Sequence, residues 1–269
     1  MTVSRRGRIS LRLVALGYLG LLLAAPVAMI VYRTFGDGVG AVIDSLTTPE
    51  AQHAFYLTCV MVGIAVPLNT VFGVVCAIVL VRHRFRGRAL LNSLIDLPFA
   101  VSPVVIGLAL ILVYGTRDGW IGRDLADAGI QVIFAPPGMV LATIFVSLPF
   151  VVREVMPVLQ EIGTEQEQAA STLGASPWQT FRRITLPAIR WGLGYGVVLA
   201  TARALGEFGA LSIVSGKLSG QTETLTLRVE ERFQSFDITG AYAASLVLAV
   251  MAIATLLLMS RLNPERKST

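Results

Sequence analysis

Two ionisable residues lie four apart in an otherwise apolar stretch: Arg203 and Glu207. On a helix that spacing puts both side chains on one face. A lone charge at mid-bilayer costs about 2.5–3.5 kcal/mol on insertion scales, and a pair facing the interior of a bundle offsets much of this. Two roles are open. The pair can be a neutralised ion pair that fixes helix packing. Alternatively, Arg203 lines a pathway and offers a cation to a dianion, while Glu207 holds the guanidinium and prevents too deep a trap. A second group is Ser102 and Pro103, with Pro98 just before them. Prolines remove backbone donors and kink helices, and freed backbone groups are tolerated in a membrane only inside protein or beside a wet cavity. Ser102 and Pro103 are therefore candidate pathway residues, whereas Pro67 and Pro149 read as helix-shaping.

Other chemistries find no support. No Gly-x-x-x-x-Gly-Lys-[Ser/Thr] occurs, and the only lysines are Lys217 and Lys267, so this chain lacks a phosphate-cradling loop of that kind. His-Glu-x-x-His and Gly-x-Ser-x-Gly are absent too, which leaves hydrolysis within the chain unsupported. Cys59 and Cys76 share one apolar run, about 25 Å apart on a straight helix at roughly 1.5 Å per residue, so they read as small buried hydrophobes. His53 and His83 are single residues at the ends of apolar runs, which fits an interfacial position. No catalytic residue, metal site or cofactor of the chain's own is expected.

The elements that must position these residues are membrane helices. Of 269 residues, 54% are apolar and 14% charged, and mean hydropathy is +0.71. A soluble domain carries about 25% charged residues. A bilayer core needs about 20 apolar residues in a helix. Charge-free runs predict spans at about 13–32, 54–81, 94–115 and 240–260. Two more are predicted at 137–159, which carries Arg153 and Glu154 near its inner end, and at 191–214, interrupted by Arg203 and Glu207. A cleaved signal peptide would also follow Arg5, Arg6, Arg8 and Arg12, but the apolar stretch from Leu13 is longer than a typical signal core, which favours an uncleaved first helix. With six spans and both termini inside, the inner segments hold most of the 22 basic residues. They include Arg5, Arg6, Arg8, Arg12, Arg82, Arg84, Arg86, Arg88, Arg182, Arg183, Arg190, Arg261, Arg266 and Lys267. Most acidic residues fall outside, which is the positive-inside pattern. The net charge of +5 thus reflects topology and not nucleic acid. With no internal repeat, residues 1–269 read as a single all-α membrane domain.

The longest informative inner segment is the loop at 160–190. Thr164 can cap a short helix, with Glu167 reaching back in a capping box. Ala169 and Ala170 give it a small-residue face, and Gly174 is placed to end it in a left-handed conformation. Ser176, Pro177 and Gln179 repeat the box for a second short helix, and Leu186-Pro187 are expected to stop that helix before the next span.

Gln168-Ala169-Ala170, Gly174, Ile184, Leu186 and Pro187 resemble the signature loop of binding-protein-dependent ABC importer permeases: Glu-Ala-Ala, three residues, Gly, nine residues, Ile, one residue, Leu-Pro. The spacing agrees at each step. The departure is Gln168 in place of glutamate, with Glu167 adjacent but about 100° away on a helix. Leu97-Pro98-Phe99, Ser102-Pro103-Val104-Val105 and Arg203-Ala204-Leu205-Gly206-Glu207-Phe208-Gly209-Ala210 resemble the oxyanion branch of that family. Together with Ser176–Phe181 they are most like the sulfate/thiosulfate permease subunits of CysW type.

The resemblance implies a six-helix bundle of the type I ABC importer kind. Glu167, Gln168, Ala169, Ala170, Gly174, Ile184, Leu186 and Pro187 would form its ATPase-coupling loop. Expected partners are two ABC ATPase subunits that bind ATP and Mg, a second homologous permease, an extracytoplasmic sulfate-binding protein and membrane lipid. The activity implied is import of an inorganic oxyanion, with molybdate as an alternative cargo. An ion-coupled secondary carrier, or a membrane sensor, are rival classes. The carrier would need a proton- or sodium-coupled acidic residue, for which Glu207 is the mid-span candidate.

Overall fold

A computed structural model describes residues 5–262. Arg266 and Lys267 of the predicted inner tail lie outside the described residues, as do the side chains of Arg5, Arg6, Arg8 and Arg261. Among the described residues the chain is all-helical. In order, α1 (Arg5–Leu19) passes through a π-helical turn (Gly20–Ala24) into α2 (Ala25–Thr34), and α3 (Val39–Thr47) leads to α4 (Pro49–Arg82). Next come α5 (Arg88–Ala100), α6 (Pro103–Tyr114), α7 (Gly122–Asp127) and α8 (Pro136–Ile162). The loop holds α9 (Glu165–Thr172), α10 (Pro177–Thr180) and a second π-helical turn (Phe181–Thr185). After it follow α11 (Leu186–Leu205), α12 (Leu211–Val214), α13 (Leu225–Gln234) and α14 (Ile238–Leu262).

Among the described residues, four helices are long and apolar enough to cross a membrane: Arg12–Thr34, Pro49–Arg82, Pro136–Ile162 and Ile238–Leu258. The span predicted at 94–115 is not one rod: α5 and α6 bend by 115°. The cause is local. A residue before proline is driven out of the helical region, and Ser102, before Pro103, has φ −59° and ψ 135°. The span predicted at 191–214 is also broken, since α11 ends at Leu205 and only the short α12 follows. α11 is 20 residues long but falls short of the hydropathy of the other crossings. Arg190, Arg203 and three glycines dilute it, and its packing against α4, α8 and α14 reduces the area it must show to lipid.

The bundle is built on α4, α8 and α11. At the end nearest the 160–190 loop, Ala77, Leu80, Ile95, Val152, Val155, Leu159 and Ile189 are buried together. At the far end Leu57, Met61, Ile106, Met139, Val146, Leu211 and Leu227 form a second core. Close approach needs small residues. A Cβ on Gly73 would lie 2.8 Å from Val151 Cβ, and one on Gly196 would lie 3.0 Å from Val151 Cα, so both neighbours of α8 are seated against the same residue. Between α4 and α8 the buried Asn69 gives its Nδ2 hydrogens to Ile144 O and Ser147 Oγ, each at 2.9 Å. Arg153 ties α8 to α5 through Asp96 Oδ1 at 2.7 Å and Asn92 Oδ1 at 3.1 Å. The first apolar helix stands apart, touching chiefly α14.

Candidate functional site: the 160–190 loop and the broken helices

α9 has no buried residue. Gly174 has φ +81°, a conformation that costs glycine no Cβ clash, and Ala175 N–H bonds to Ala170 O at 3.0 Å, closing the helix as expected. The second predicted cap also forms: Gln179 N–H donates to Ser176 Oγ at 3.3 Å, and Ser176 N–H donates to Gln179 Oε1 at 2.9 Å. Trp178 stacks on Phe181 at 5.5 Å. Leu173 and Trp178 are 89% and 66% exposed, beside the exposed Gln168, Ala169 and Gly174 and the half-buried Ala170.

Two expectations for the loop fail. Thr164 makes no capping bond to the α9 backbone; its hydroxyl accepts from Gln168 Nε2 at 3.0 Å. Glu167 turns into the bundle instead. Arg82 Nε lies 3.0 Å from its Oε2, Arg82 Nη2 donates to Oε1 at 3.2 Å, and Thr185 Oγ1 donates to Oε1 at 2.8 Å. Charge-assisted bonds are roughly twice as strong as neutral ones, so the guanidinium outcompetes the helix end. Nor do Leu186-Pro187 stop the second short helix. The chain winds through the π-helical turn straight into α11, and Pro187 sits in the first turn of α11, its missing N–H accommodated without ending the helix. Ile184 and Leu186 are half-buried along this path.

The two broken helices approach each other at Gly209 and Pro103. A Cβ on Gly209 would lie 2.9 Å from Pro103 Cβ, so the turn after α11 is seated on the start of α6. Ser102 is exposed there and its side chain makes no capping bond. Arg203 Nη1 lies 2.7 Å from Glu207 Oε2, with side-chain exposures of 30% and 1%. Glu207 lies beyond the helix end, not on its face, and its position is fixed by the turn. Its Oε1 accepts Ala210 N–H at 2.8 Å, and its backbone oxygen accepts Thr226 Oγ1 at 2.8 Å. The carboxylate is thus locked, and the guanidinium is the partly open member of the pair.

Sequence reading missed a third group. Glu223 and Arg228 count by position as outer-loop charges, yet their side chains are 2% and 3% exposed and 3.3 Å apart. Ser219 Oγ donates to Glu223 at 3.0 Å, and Arg228 Nη2 donates to Thr48 Oγ1 at 3.0 Å. The available signal was apolar: Leu225 and Leu227 lie between the two in sequence and are buried.

Long apolar helices, two of them broken, packed into a bundle with a capped, exposed loop at one end define an all-helical membrane protein. The chain belongs to the family of binding-protein-dependent transport system inner membrane components, whose pattern matches residues 69–268. It is therefore a permease subunit and not itself an enzyme. It is 52% identical over 250 residues to the sulfate transport system permease protein CysW of Synechococcus elongatus, covering 93% of this chain and 87% of that one. To CysW of Escherichia coli K12 it is 48% identical, over 90% of this chain and 83% of that one. Its fold is that of a bacterial ABC transporter involved in import of the acidic polysaccharide alginate: TM-score 0.78, 17% identity, 97% of this chain and 95% of that one. A second, equally similar structure of the alginate transporter is in complex with an alginate pentasaccharide-bound periplasmic protein.

Proposed function

We propose that this chain is a transmembrane permease subunit of an ATP-driven importer that carries sulfate or thiosulfate into the cytoplasm. The observation that carries the reading is the near-50% identity to sulfate permeases along almost the whole chain. A partly exposed arginine in the last turn of the broken α11, Arg203, supports it, because it offers a cation for an oxyanion. In this reading there are six passes, counting the α5–α6 pair and α11 as one each, and both termini are cytoplasmic. The working unit holds this chain, a second homologous permease, two ATPase subunits that bind ATP and Mg, and an extracytoplasmic sulfate-binding protein.

The cycle is alternating access. ATP closes the ATPase pair and the two coupling loops move together. The pore then opens outward, and the binding protein delivers the anion to a path lined by Ser102, Pro103 and Arg203, with Glu207 as the resting counter-ion of the arginine. Hydrolysis returns the bundle to its inward state. The loop residues Glu167 to Gly174, with Ile184, Leu186 and Pro187, carry the motion.

The test is uptake of labelled sulfate into proteoliposomes holding the whole assembly. Uptake should require ATP, persist when ion gradients are collapsed, and be competed by thiosulfate but not by molybdate. Competition by molybdate alone would reassign the cargo. Uptake by this chain without an ATPase, driven by an ion gradient, would make it a secondary carrier.

A further inference from the structure

The carboxylate expected at position 168 is absent, yet a carboxylate one residue earlier is buried against the bundle. Glu167 side-chain exposure is 22% and that of Arg82 is 11%. Four elements converge on this pair. Glu167 comes from α9 and Arg82 from the last residue of α4; Thr185, in the π-helical turn before α11, donates to the same carboxylate. Arg82 Nη1 donates to Leu159 O near the end of α8 at 2.9 Å. α9 itself has no buried residue, and its neighbours across the loop, Leu173 and Trp178, face outward. The helix has little apolar packing with which to grip the bundle, while α4, α8 and α11 form the tightly packed body.

We infer that Arg82 and Glu167, with Thr185, are positioning residues for coupling. They make the exposed α9 move as one body with the ends of α4, α8 and α11, so that displacement of the loop is delivered to three crossings at once. A rigid link must resist both separation and rotation. A guanidinium fork on a carboxylate supplies fixed directions as well as attraction, and the hydroxyl of Thr185 holds the same carboxylate from a third direction. Gln168, on the exposed side of the same turn, has no part in this joint. The inference rests on the reading of the 160–190 loop as the ATPase contact.

The experiment measures anion imported per ATP hydrolysed in proteoliposomes containing the whole transporter. Glu167→Gln, Arg82→Lys and Thr185→Val are compared with His83→Ala, which borders the same cleft but gives Glu167 no bond. Changes along a coupling path shift it by about two- to thirtyfold. The transport-to-ATP ratio should fall within that range for Glu167→Gln and Arg82→Lys, fall least for Thr185→Val, and stay at the wild-type value for His83→Ala. Glu167→Gln combined with Arg82→Lys should be little worse than the poorer single variant, because both remove one joint. A wild-type ratio in Glu167→Gln would overturn the inference. So would failure of both Glu167→Gln and Thr185→Val to assemble, since the cluster would then be a folding element. Wild-type transporter whose ATPase is indifferent to this chain would instead sink the reading of the loop itself, a result distinct from either.

Discussion

Glu223–Arg228 at the far end of the bundle and Glu167–Arg82 beside the loop are the same chemical pair in different settings. The first is shut in, with side chains 2% and 3% exposed and buried Leu225 and Leu227 in the stretch that joins them, and its hydrogen bonds reach Ser219 and Thr48. The second is half-open and joins the bundle to a helix that buries nothing. A sealed pair is part of the body, because neither charge can return to water without the body opening. A half-open pair at the root of an exposed helix is a tether, strong in direction and modest in energy. The Arg203–Glu207 pair combines both: a sealed carboxylate and a guanidinium with access to solvent.

That contrast can be broken or sharpened by substitution. The largest effect is expected at the mixed pair. Arg203→Ala should reduce labelled-sulfate uptake to background while the complex still co-purifies with its ATPase; loss of the complex would assign the pair to packing alone. Next is the sealed pair, where Arg228→Ala leaves a buried carboxylate without its cation and should cost about 3–5 kcal/mol, read as a lower unfolding temperature in detergent. Replacing both partners, as Glu223→Leu with Arg228→Met, should recover most of that loss. If Arg228→Ala scarcely moves the melt, the two pairs do not differ as described.

Smaller still is the junction of the broken helices. Gly209→Val forces a side chain against Pro103 and should cost about 1–3 kcal/mol through overpacking, with uptake falling alongside stability. The smallest effects fall in the loop. Ser176→Ala removes a capping bond that forms and should cost about 1 kcal/mol. Thr164→Ala removes none and should change stability by less than about 0.5 kcal/mol. Hydrogen exchange of the α9 and α10 amides distinguishes the two, and equal protection loss in both would show that Thr164 caps after all.

Of the fold, the long crossings were legible. Runs such as 54–81 are apolar over a bilayer's width, and a helix is the structure that pairs every backbone group there. The breaks were half legible. Pro98 and Pro103 announced trouble, but a proline can merely kink a helix; a 115° bend also needed α12 as a seat for α6. The loop was legible through Gly174 and the Ser176 box, which are local in sequence. Thr164 and Glu167 had the same pattern and behaved differently, because a distant arginine, Arg82, competed for the carboxylate.

By itself, then, the order of residues settled what is decided within a few positions of the chain. It fixed which stretches are apolar enough to prefer lipid, where glycine and proline punctuate them, and which short spacing marks the loop. Tertiary structure settled how charges pair with residues far along the chain: Glu167 with Arg82 rather than its own helix, Arg153 with Asp96, and Arg228 with the hydroxyl of Thr48. The reason is the environment each charge meets. A buried charge takes the best partner that folding brings within about 3 Å in a medium of low dielectric, and sequence spacing does not say which one arrives.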